Sequence, residues 1–218
     1  MYLGDVLGVL IVYLYVGFLL YLLEFNSKRD LFFRRKLIHI MVGNIVFILP
    51  LFETRWVMAG LAAAPFILLT FLMSPRSSFG PNSETSNSGH GLGLFYYSIS
   101  WTLLSFLFFE HLGVIAVGII CMSYGDGIAS LIGKRFGKHR LSFTVDQKSL
   151  EGSVAMFFSS LAMVGISLFY LNAVPEKILI LPLVVLIATV VEIFSVKGLD
   201  NLLVALIASI SYYILLYL

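Results

Sequence analysis

The residues with the clearest capacity for chemistry lie between positions 123 and 153, where charged side chains interrupt an apolar sequence. Asp126 stands between Gly125 and Gly127, residues that let a backbone turn and let a ligand come close. A carboxylate inside hydrocarbon costs several kcal/mol unless it faces a polar cavity, a partner or a metal ion. Basic residues of the kind that bind an anionic phosphate chain follow it, namely Lys134, Arg135, Lys138, His139, Arg140 and Lys148. The stretch therefore predicts a site for nucleotide phosphates and a metal ion at one face of a membrane.

Further polar side chains approach the same face from later apolar segments. Glu151 precedes the sixth segment, Glu192 lies near the end of the seventh, and Asp200 with Asn201 begins the eighth. Mg²⁺ prefers one or two carboxylates together with phosphates and water, which this arrangement can supply. The alternative is that Asp126 is structural and pairs with a lysine or caps a broken helix.

The basic stretch has two simpler interpretations. The residues from Gly127 to Lys134 superficially resemble a P-loop, but the spacing is one residue too long and no strand precedes it. Arg135 also stands where that motif requires Ser or Thr, so we reject it. The run from Lys134 to Arg140 could be only a positively charged membrane anchor. Its position between Asp126 and Lys148 favours a loop that folds over phosphates.

The elements that must position these residues are membrane-spanning helices. Of the 218 residues, 60% are hydrophobic and only 12% are charged, about half the charged fraction of a soluble domain. Eight apolar segments, most of them near the about 20 residues that cross a bilayer, lie at 3–23, 37–52, 56–73, 92–109, 112–132, 152–171, 178–194 and 200–217. The sequence predicts an all-α transmembrane bundle, one integral membrane domain over residues 1–218 with an active-site core at about 120–201.

The basic residues also predict an orientation. They concentrate in the odd-numbered connections, whereas the even-numbered ones hold only Arg55 and Lys177. By the positive-inside rule the odd connections are cytoplasmic and both termini lie outside. Asp126, eight residues before Lys134, is then about 12 Å deep on the cytoplasmic side. His39 lies in the same half and is either a satisfied buried histidine or a site residue.

The remaining features mainly exclude classes of protein. The single cysteine, Cys121, rules out a disulfide framework and a cysteine metal cluster. Nucleic acid is not an expected partner, because the basic residues form short membrane-edge loops without a recognition motif. The third connection, residues 74–91, is rich in Ser, Asn, Gly and Pro and is either a linker or a lid, with His90 as an outside candidate for substrate contact.

At these residues the chain resembles the CTP-dependent polyprenol kinase family, which includes dolichol kinases, phytol kinases and the yeast-type diacylglycerol kinase. The resemblance rests on Arg35-Lys36-Leu-Ile-His39, Gly125-Asp126-Gly127, Gly133-Lys134-Arg135-Phe-Gly137-Lys138, Lys148-Ser-Leu-Glu151-Gly152, and Glu192 followed by Gly198-Leu-Asp200-Asn201. Gly89-His90-Gly91 before Tyr96-Tyr97 is a weaker match. These motifs run from the second to the eighth apolar segment, so the resemblance covers most of the chain.

The resemblance implies that a lipid alcohol, such as dolichol, another polyprenol, phytol or geranylgeraniol, attacks the γ-phosphate of CTP. It also implies roles for individual residues. Asp126, Glu192 and Glu151 are the expected catalytic residues, with Asp126, Glu151 and Asp200 as Mg²⁺ ligands. The expected nucleotide and phosphate contacts are Lys134, Lys138, Lys148, Gly125, Gly127, Gly152 and Asn201. The expected substrate contacts are Lys36, His39 and His90.

Two other functions stay open from the sequence. The central block is also similar to phosphatidate cytidylyltransferases, which use CTP to make a CDP-activated lipid. Their long C-terminal signature is absent here and only Glu192 with Lys197-Gly-Leu-Asp200-Asn201 remains, which favours the kinases. A transporter usually has midplane polar residues in repeated halves, and this chain has no clear internal repeat.

Overall fold

The fold is a bundle of helices, seen in a computed structural model that describes residues 2–22, 30–74, 76, 92–196 and 198–217. Within those residues the regular structure is helical apart from one isolated antiparallel bridge, between Arg140 and Ser149. We number the helices α1 (Leu3–Leu20), α2 (Leu31–Val42), α3 (Val57–Leu72), α4 (Gly93–Leu107), α5 (Leu112–Phe136), α6 (Leu150–Tyr170), α7 (Ile180–Phe194) and α8 (Asp200–Tyr217). The predicted all-α class is confirmed.

The helices are apolar enough for a membrane protein. Among the described residues, α1, α5, α6 and α8 are each long and apolar enough to cross a bilayer, and α3, α4 and α7 are shorter apolar helices. Apolar side chains such as Phe158 and Phe169 point outward and are 64% and 78% exposed, as expected of a surface in contact with lipid. The chain is an integral membrane protein, and the number of eight spans stays a prediction.

The second predicted segment differs most from the structure. Its helix, α2, begins at Leu31, six residues before the predicted start at residue 37, and changes to 3₁₀ turns at Gly43–Phe47 and Leu49–Leu51. Pro50 in the last of these turns has no N–H to donate to a continuing α-helix. Because α2 starts early, its basic residues belong to the same helix as His39.

Helix α5 is the centre of the bundle. In its most apolar window 83% of the residues are buried, against 28% to 39% for α1, α6 and α8. It contacts α2, α4, α6, α7 and α8. Between Cys121 and Asp126 it widens into a π-helical turn before the α-helix resumes at Gly127. Such turns are frequent at functional sites, and this one ends on the acidic residue that the sequence singled out.

The two ends of the bundle have different polar contacts. At one end, the Asp5 carboxylate accepts hydrogen bonds from the backbone N–H groups of Glu53 and Thr54 at 2.9 and 3.0 Å. The Tyr217 hydroxyl lies 2.9 Å from His111 Nδ1 at the same end. These contacts join helix ends and connections to each other. The opposite end holds the acidic and basic residues of the predicted site.

Candidate active site

A polar pocket opens at the end of the bundle where α5 and α7 finish and α6 and α8 begin. Its volume is about 320 Å³, within the usual size range of small-molecule sites. The predicted site residues on its wall are Lys36, Asp126, Lys134, Lys148, Gly152, Glu192, Asp200 and Asn201. Helices α2, α5, α6, α7 and α8 therefore all contribute to one pocket.

Asp126 is the most deeply buried carboxylate of the pocket wall. Only 2% of the residue is exposed, and its Oδ2 accepts a hydrogen bond from Lys36 Nζ at 2.8 Å. His39 Nε2 lies 3.3 Å from the same oxygen, and Ser130 Oγ lies 3.3 Å from Oδ1. A buried charge is tolerated when it is paired and hydrogen-bonded in this way.

The contact between α2 and α5 makes this cluster possible. A Cβ atom at Gly127 would collide with Ile40 Cγ1, and one at Gly43 would lie 2.6 Å from Ser123 Cβ. Only glycines allow the two helix backbones to come so close. The close approach brings Lys36 and His39 of α2 within reach of Asp126.

Lys148 is delivered to the pocket by a tight hairpin, residues 137–149, between α5 and α6. The hairpin is held by hydrogen bonds from Leu141 N to Lys148 O at 2.8 Å and from Leu150 N to His139 O at 3.0 Å. Its turn places Gln147 in the left-handed region, with φ of 48°, and the Lys148 N–H donates to Thr144 Oγ1 at 2.9 Å. The backbone at Lys148 is therefore fixed before its side chain enters the pocket.

The Lys148 ammonium group joins α7 and α8 at the pocket wall. It donates a hydrogen bond to the Glu192 backbone carbonyl at 2.7 Å and forms an ion pair with the Glu192 carboxylate. Its Nζ also lies 3.7 Å from Asp200 Oδ2. Burial alone would lower the pKa of Lys148, but the carboxylates of Glu192, Asp200 and Asp126 outweigh it and raise that pKa above its ordinary value of 10.5. Lys148 is charged at physiological pH.

Three further cations complete the basic part of the wall, namely Arg35, Lys134 and Arg140. Lys134 Nζ lies 4.0 Å from the centre of the Phe32 ring, and Arg140 donates to the Gln147 carbonyl at 3.0 Å. Arginine and lysine side chains are the usual ligands of phosphate oxygens. In the described part of the wall, the hairpin, α2 and α5 thus each carry cations that could bind a polyphosphate.

Of the predicted metal ligands, Asp126 and Asp200 reach the pocket wall, whereas Glu151 does not. Both line the pocket, from different helices. In the described part of the chain no three His, Cys, Asp or Glu side chains are grouped as a metal cluster. Mg²⁺ that also binds phosphates and water needs only one or two protein carboxylates, so the donor set fits Mg²⁺.

Asn201 connects the pocket to α4. Its side-chain Nδ2 donates to the Gly93 carbonyl at 2.9 Å, and its backbone carbonyl accepts from Ser100 Oγ at 2.7 Å. Its backbone N–H donates to Asp200 Oδ1 at 2.9 Å. Asn201 therefore positions the carboxylate of Asp200 as well as lining the pocket.

Several predicted site residues lie away from the pocket wall. The Glu151 carboxylate accepts the His139 backbone N–H at 3.1 Å and lies 2.7 Å from His139 Nδ1, so it holds the hairpin instead. Lys138 is exposed to solvent. Gly125 packs against Ser160 and Met156 of α6, and Gly127 packs against Ile40. His90 lies outside the described residues.

Two wall residues beside Lys36 and Lys148 were not among the predicted site residues, namely Asp146 and Arg35, although Arg35 belongs to a motif that carries the family resemblance. Helical spacing was a further available signal for Arg35. Residues three and four apart share a helix face, so Arg35 and Lys36 face the same side as His39. Asp146 had no such signal, because the hairpin turn decides where it lies.

Comparison with known proteins identifies several relatives of this chain. The chain is 36% identical over 179 residues to a phytol kinase of Synechocystis sp., which covers 79% of this chain and 74% of that protein. It is 33% identical over 132 residues to a probable chloroplastic phytol kinase of Oryza sativa subsp. japonica, covering 56% of this chain and 42% of that protein. A stretch of 43 residues, 20% of this chain and 8% of the relative, is 56% identical to a dolichol kinase of Schizosaccharomyces pombe.

No family model and no solved structure matches the chain, so the relatives carry the assignment. The alignment with the cyanobacterial protein spans most of both chains at an identity well above the level of chance similarity. The resemblance that the motifs indicated is therefore confirmed. The chain belongs to the polyprenol kinase family, the family of phytol kinases and dolichol kinases, and is a membrane lipid kinase.

Proposed function

We propose that the protein transfers the γ-phosphoryl group of CTP to the hydroxyl of an isoprenoid alcohol of the phytol, geranylgeraniol or polyprenol type. The products are the lipid monophosphate and CDP. The observation that carries this proposal is the single pocket in which Lys36, Lys148 and other cations alternate with Asp126, Glu192 and Asp200. The name of the cyanobacterial relative supports a phytol-like substrate, and the motif resemblance supports CTP.

In this reaction the alcohol oxygen forms a bond to the γ-phosphorus as the bond to the β–γ bridging oxygen breaks. Phosphoryl transfer depends mainly on positioning and on neutralising charge. We assign Lys148, Lys134 and Lys36 to the phosphate oxygens. The hydroxyl proton passes to a pocket carboxylate that is not assigned to the metal ion, for which Glu192 is the candidate.

Mg²⁺ is the proposed cofactor, held by Asp126 and Asp200. When bound, it neutralises phosphate charge at the β and γ positions. Asn201 orients Asp200 for this role through its backbone N–H. The pocket side of the protein is proposed to face the cytoplasm, where a soluble nucleotide is available, in agreement with the positive-inside rule.

The decisive experiment is an assay of the purified protein in lipid nanodiscs. Phytol, geranylgeraniol, a polyprenol and diacylglycerol are each offered with CTP, ATP, GTP or UTP, and the products are separated by chromatography. We expect a lipid monophosphate and CDP in equal amounts, with loss of turnover when Mg²⁺ is chelated. Pyrophosphate with a CDP-lipid would show a cytidylyltransferase instead, and no nucleotide turnover would overturn the kinase proposal.

A further inference from the structure

A second cavity lies beside the polar pocket and is almost entirely apolar. Helices α1, α2, α3 and α4 enclose it, with Val16, Ile38, Leu69 and Leu94 among its lining residues. We call this cavity the apolar groove. Its volume is about 80 Å³, a quarter of the polar pocket's. Such a small apolar space can take a short segment of one hydrocarbon chain but not two chains side by side.

The hydroxyl groups of Thr70 and Ser98 on the groove walls are satisfied by backbone carbonyls of their own helices. Thr70 Oγ1 donates to the Phe66 carbonyl of its own helix at 2.6 Å and lies 3.2 Å from Ser98 Oγ. Ser98 Oγ in turn donates to the Leu94 carbonyl at 3.0 Å. These hydroxyls therefore make no demand on a ligand, and hydrocarbon can lie against them without leaving a hydrogen bond unmade.

The inner end of the groove meets the polar pocket. Arg35 lines both cavities. His39 lines the groove, and its Nε2 lies 3.3 Å from Oδ2 of Asp126, which lines the pocket. An amphipathic molecule with its chain in the groove therefore has its polar end at Arg35, His39 and Asp126.

The outer wall of the groove faces the lipid side of the bundle. Leu69 of α3 lines the groove and is still 42% exposed, so the wall is thin there. Its neighbour Leu68 is 63% exposed and does not line the groove. A membrane-dissolved chain can enter past Leu69 without crossing the aqueous pocket.

We propose that the apolar groove holds the part of the single isoprenoid chain next to the hydroxyl of the alcohol substrate, with the rest of the chain in the membrane, and presents that hydroxyl at the junction of Arg35, His39 and Asp126. This assignment rests on the proposed kinase function. It deepens that function by assigning the lipid subsite, and it predicts that one-chain alcohols are selected over two-chain diacylglycerol. The polar junction supplies hydrogen-bond partners for the hydroxyl, and the groove walls supply apolar contact for the chain.

The first test compares the same substitution at two adjacent leucines. Leu69→Trp places a larger side chain in the groove, so we expect the KM for geranylgeraniol to rise about tenfold or more while the KM for CTP stays the same. Leu68→Trp adds the same bulk on the lipid side and should leave both values unchanged. Equal effects of the two variants, or no effect of Leu69→Trp in a correctly folded protein, would overturn the groove assignment.

The second test measures binding without catalysis. The chain has two tryptophans. Trp101 lines the groove and is 3% exposed, whereas Trp56 is 69% exposed. In a Trp56→Phe variant, a brominated phytol analogue should quench Trp101 fluorescence, and unlabelled phytol should reverse the quenching whereas diacylglycerol should not. In the reciprocal Trp101→Phe variant, Trp56 reports only partition into the bilayer.

The two tests separate this inference from the kinase proposal. Saturable quenching of Trp101 in a protein that phosphorylates no alcohol would keep the groove and reject the kinase proposal. A kinase in which Trp101 is quenched no more specifically than Trp56 would keep the function and reject the groove. Reversal by diacylglycerol as effectively as by phytol would show an occupant that is an ordinary membrane lipid, which also rejects the assignment.

Discussion

At the scale of single residues, the site is defined by how each buried charge is compensated. The negative charge of Asp126 is balanced by Lys36, and that of Glu192 by Lys148. Each pair joins parts of the chain that are far apart in sequence. Moving a charge out of water costs several kcal/mol per ion, so each of these carboxylates depends on its cation to offset that cost. The same cations and carboxylates are the groups that a nucleotide phosphate and a metal ion require.

Replacing Asp126 should therefore separate chemistry from folding. Asp126→Asn keeps the size of the side chain and its ability to accept from Lys36, but removes the negative charge. We expect kcat to fall by about 100-fold or more, with only a small change in melting temperature. Turnover in nanodiscs and thermal unfolding of the same preparation are the measurements. Turnover close to that of the unsubstituted protein would remove Asp126 from the mechanism.

The pair of Lys148 and Glu192 allows a double-mutant cycle on stability. Lys148→Met leaves the Glu192 carboxylate buried without its cation, so we expect a loss of about 3–5 kcal/mol in the free energy of unfolding. Adding Glu192→Gln to that variant should recover part of the loss, because the carboxylate that paired with Lys148 is then removed as well. Denaturant unfolding in detergent measures all four proteins. Simple additivity of the two single losses would contradict a direct pair.

The raised pKa of Lys148 fixes how this pair responds to pH. A group whose pKa is higher in the folded than in the unfolded protein stabilises the fold fully below its unfolded pKa, here about 10.5. The contribution is lost only as the pH rises through the higher folded value. The stability difference between the unsubstituted protein and the Lys148→Met/Glu192→Gln variant should therefore stay constant from about pH 8 to 9.5. A difference that shrinks within that interval would mean that Lys148 deprotonates early.

At the scale of elements, the α2–α5 contact decides whether the site forms. Asp126 is on α5, and the basic side chains that contact its carboxylate, Lys36 and His39, are on α2. Gly127, which follows Asp126, lies against Ile40 of α2, and its lack of a side chain allows the two helices to pack closely. If Gly127 serves packing, replacing it should lower the stability of the protein. If it contacts phosphate, replacing it should instead lower the affinity for the nucleotide.

Alanine substitution at two helical glycines tests this distinction. At Gly127 the added methyl group collides with Ile40, and overpacking of this kind costs about 1–3 kcal/mol, so we expect lower stability together with lower kcat. At Gly165 of α6 nothing lies within 4 Å of the added atom, so Gly165→Ala should keep activity and match or raise stability. A Gly127→Ala protein of normal stability with only a raised KM for CTP would instead favour direct phosphate contact.

Three of the four acidic residues predicted for the site, and three of the four lysines, line the pocket. Asp126, Glu192 and Asp200 were placed correctly in one half of the bundle, because their depth follows from their distance to helix ends. Glu151 was grouped with them by proximity along the chain, but its side chain turns to His139 at the start of α6. Helix rotation and the path of the hairpin decide such cases, and neither can be deduced from spacing alone.

Pairing across the bundle was also beyond the sequence. Lys36 and Asp126 are 90 positions apart, and only the packing of α2 on α5 brings them to 2.8 Å. The sequence supported a structural lysine partner for Asp126 and a functional carboxylate as alternatives. In the structure the two are compatible, because the paired carboxylate lies on the wall of the pocket.

At the scale of the whole molecule, the bundle separates its two ends by charge and by role. The most buried helix, α5, carries Asp126 near the end where the hairpin and α7 supply Lys148 and Glu192. At the other end, Asp5, Glu53 and Thr54 are engaged with each other. An enzyme that transfers a phosphoryl group from a soluble donor to a membrane-dissolved alcohol needs one aqueous opening. The polar pocket is such an opening.

Cysteine labelling in whole cells tests the proposed orientation of the polar pocket. The native Cys121 is fully buried, so an engineered cysteine is the only expected target of a membrane-impermeant maleimide. Ser142 of the hairpin and Glu176 of the connection between α6 and α7 are both exposed and belong to opposite ends. We expect Glu176→Cys to react in intact cells and Ser142→Cys to react only after permeabilisation, because positively charged loops stay in the cytoplasm. The reverse pattern would place the pocket outside, where cytoplasmic nucleotide cannot reach it.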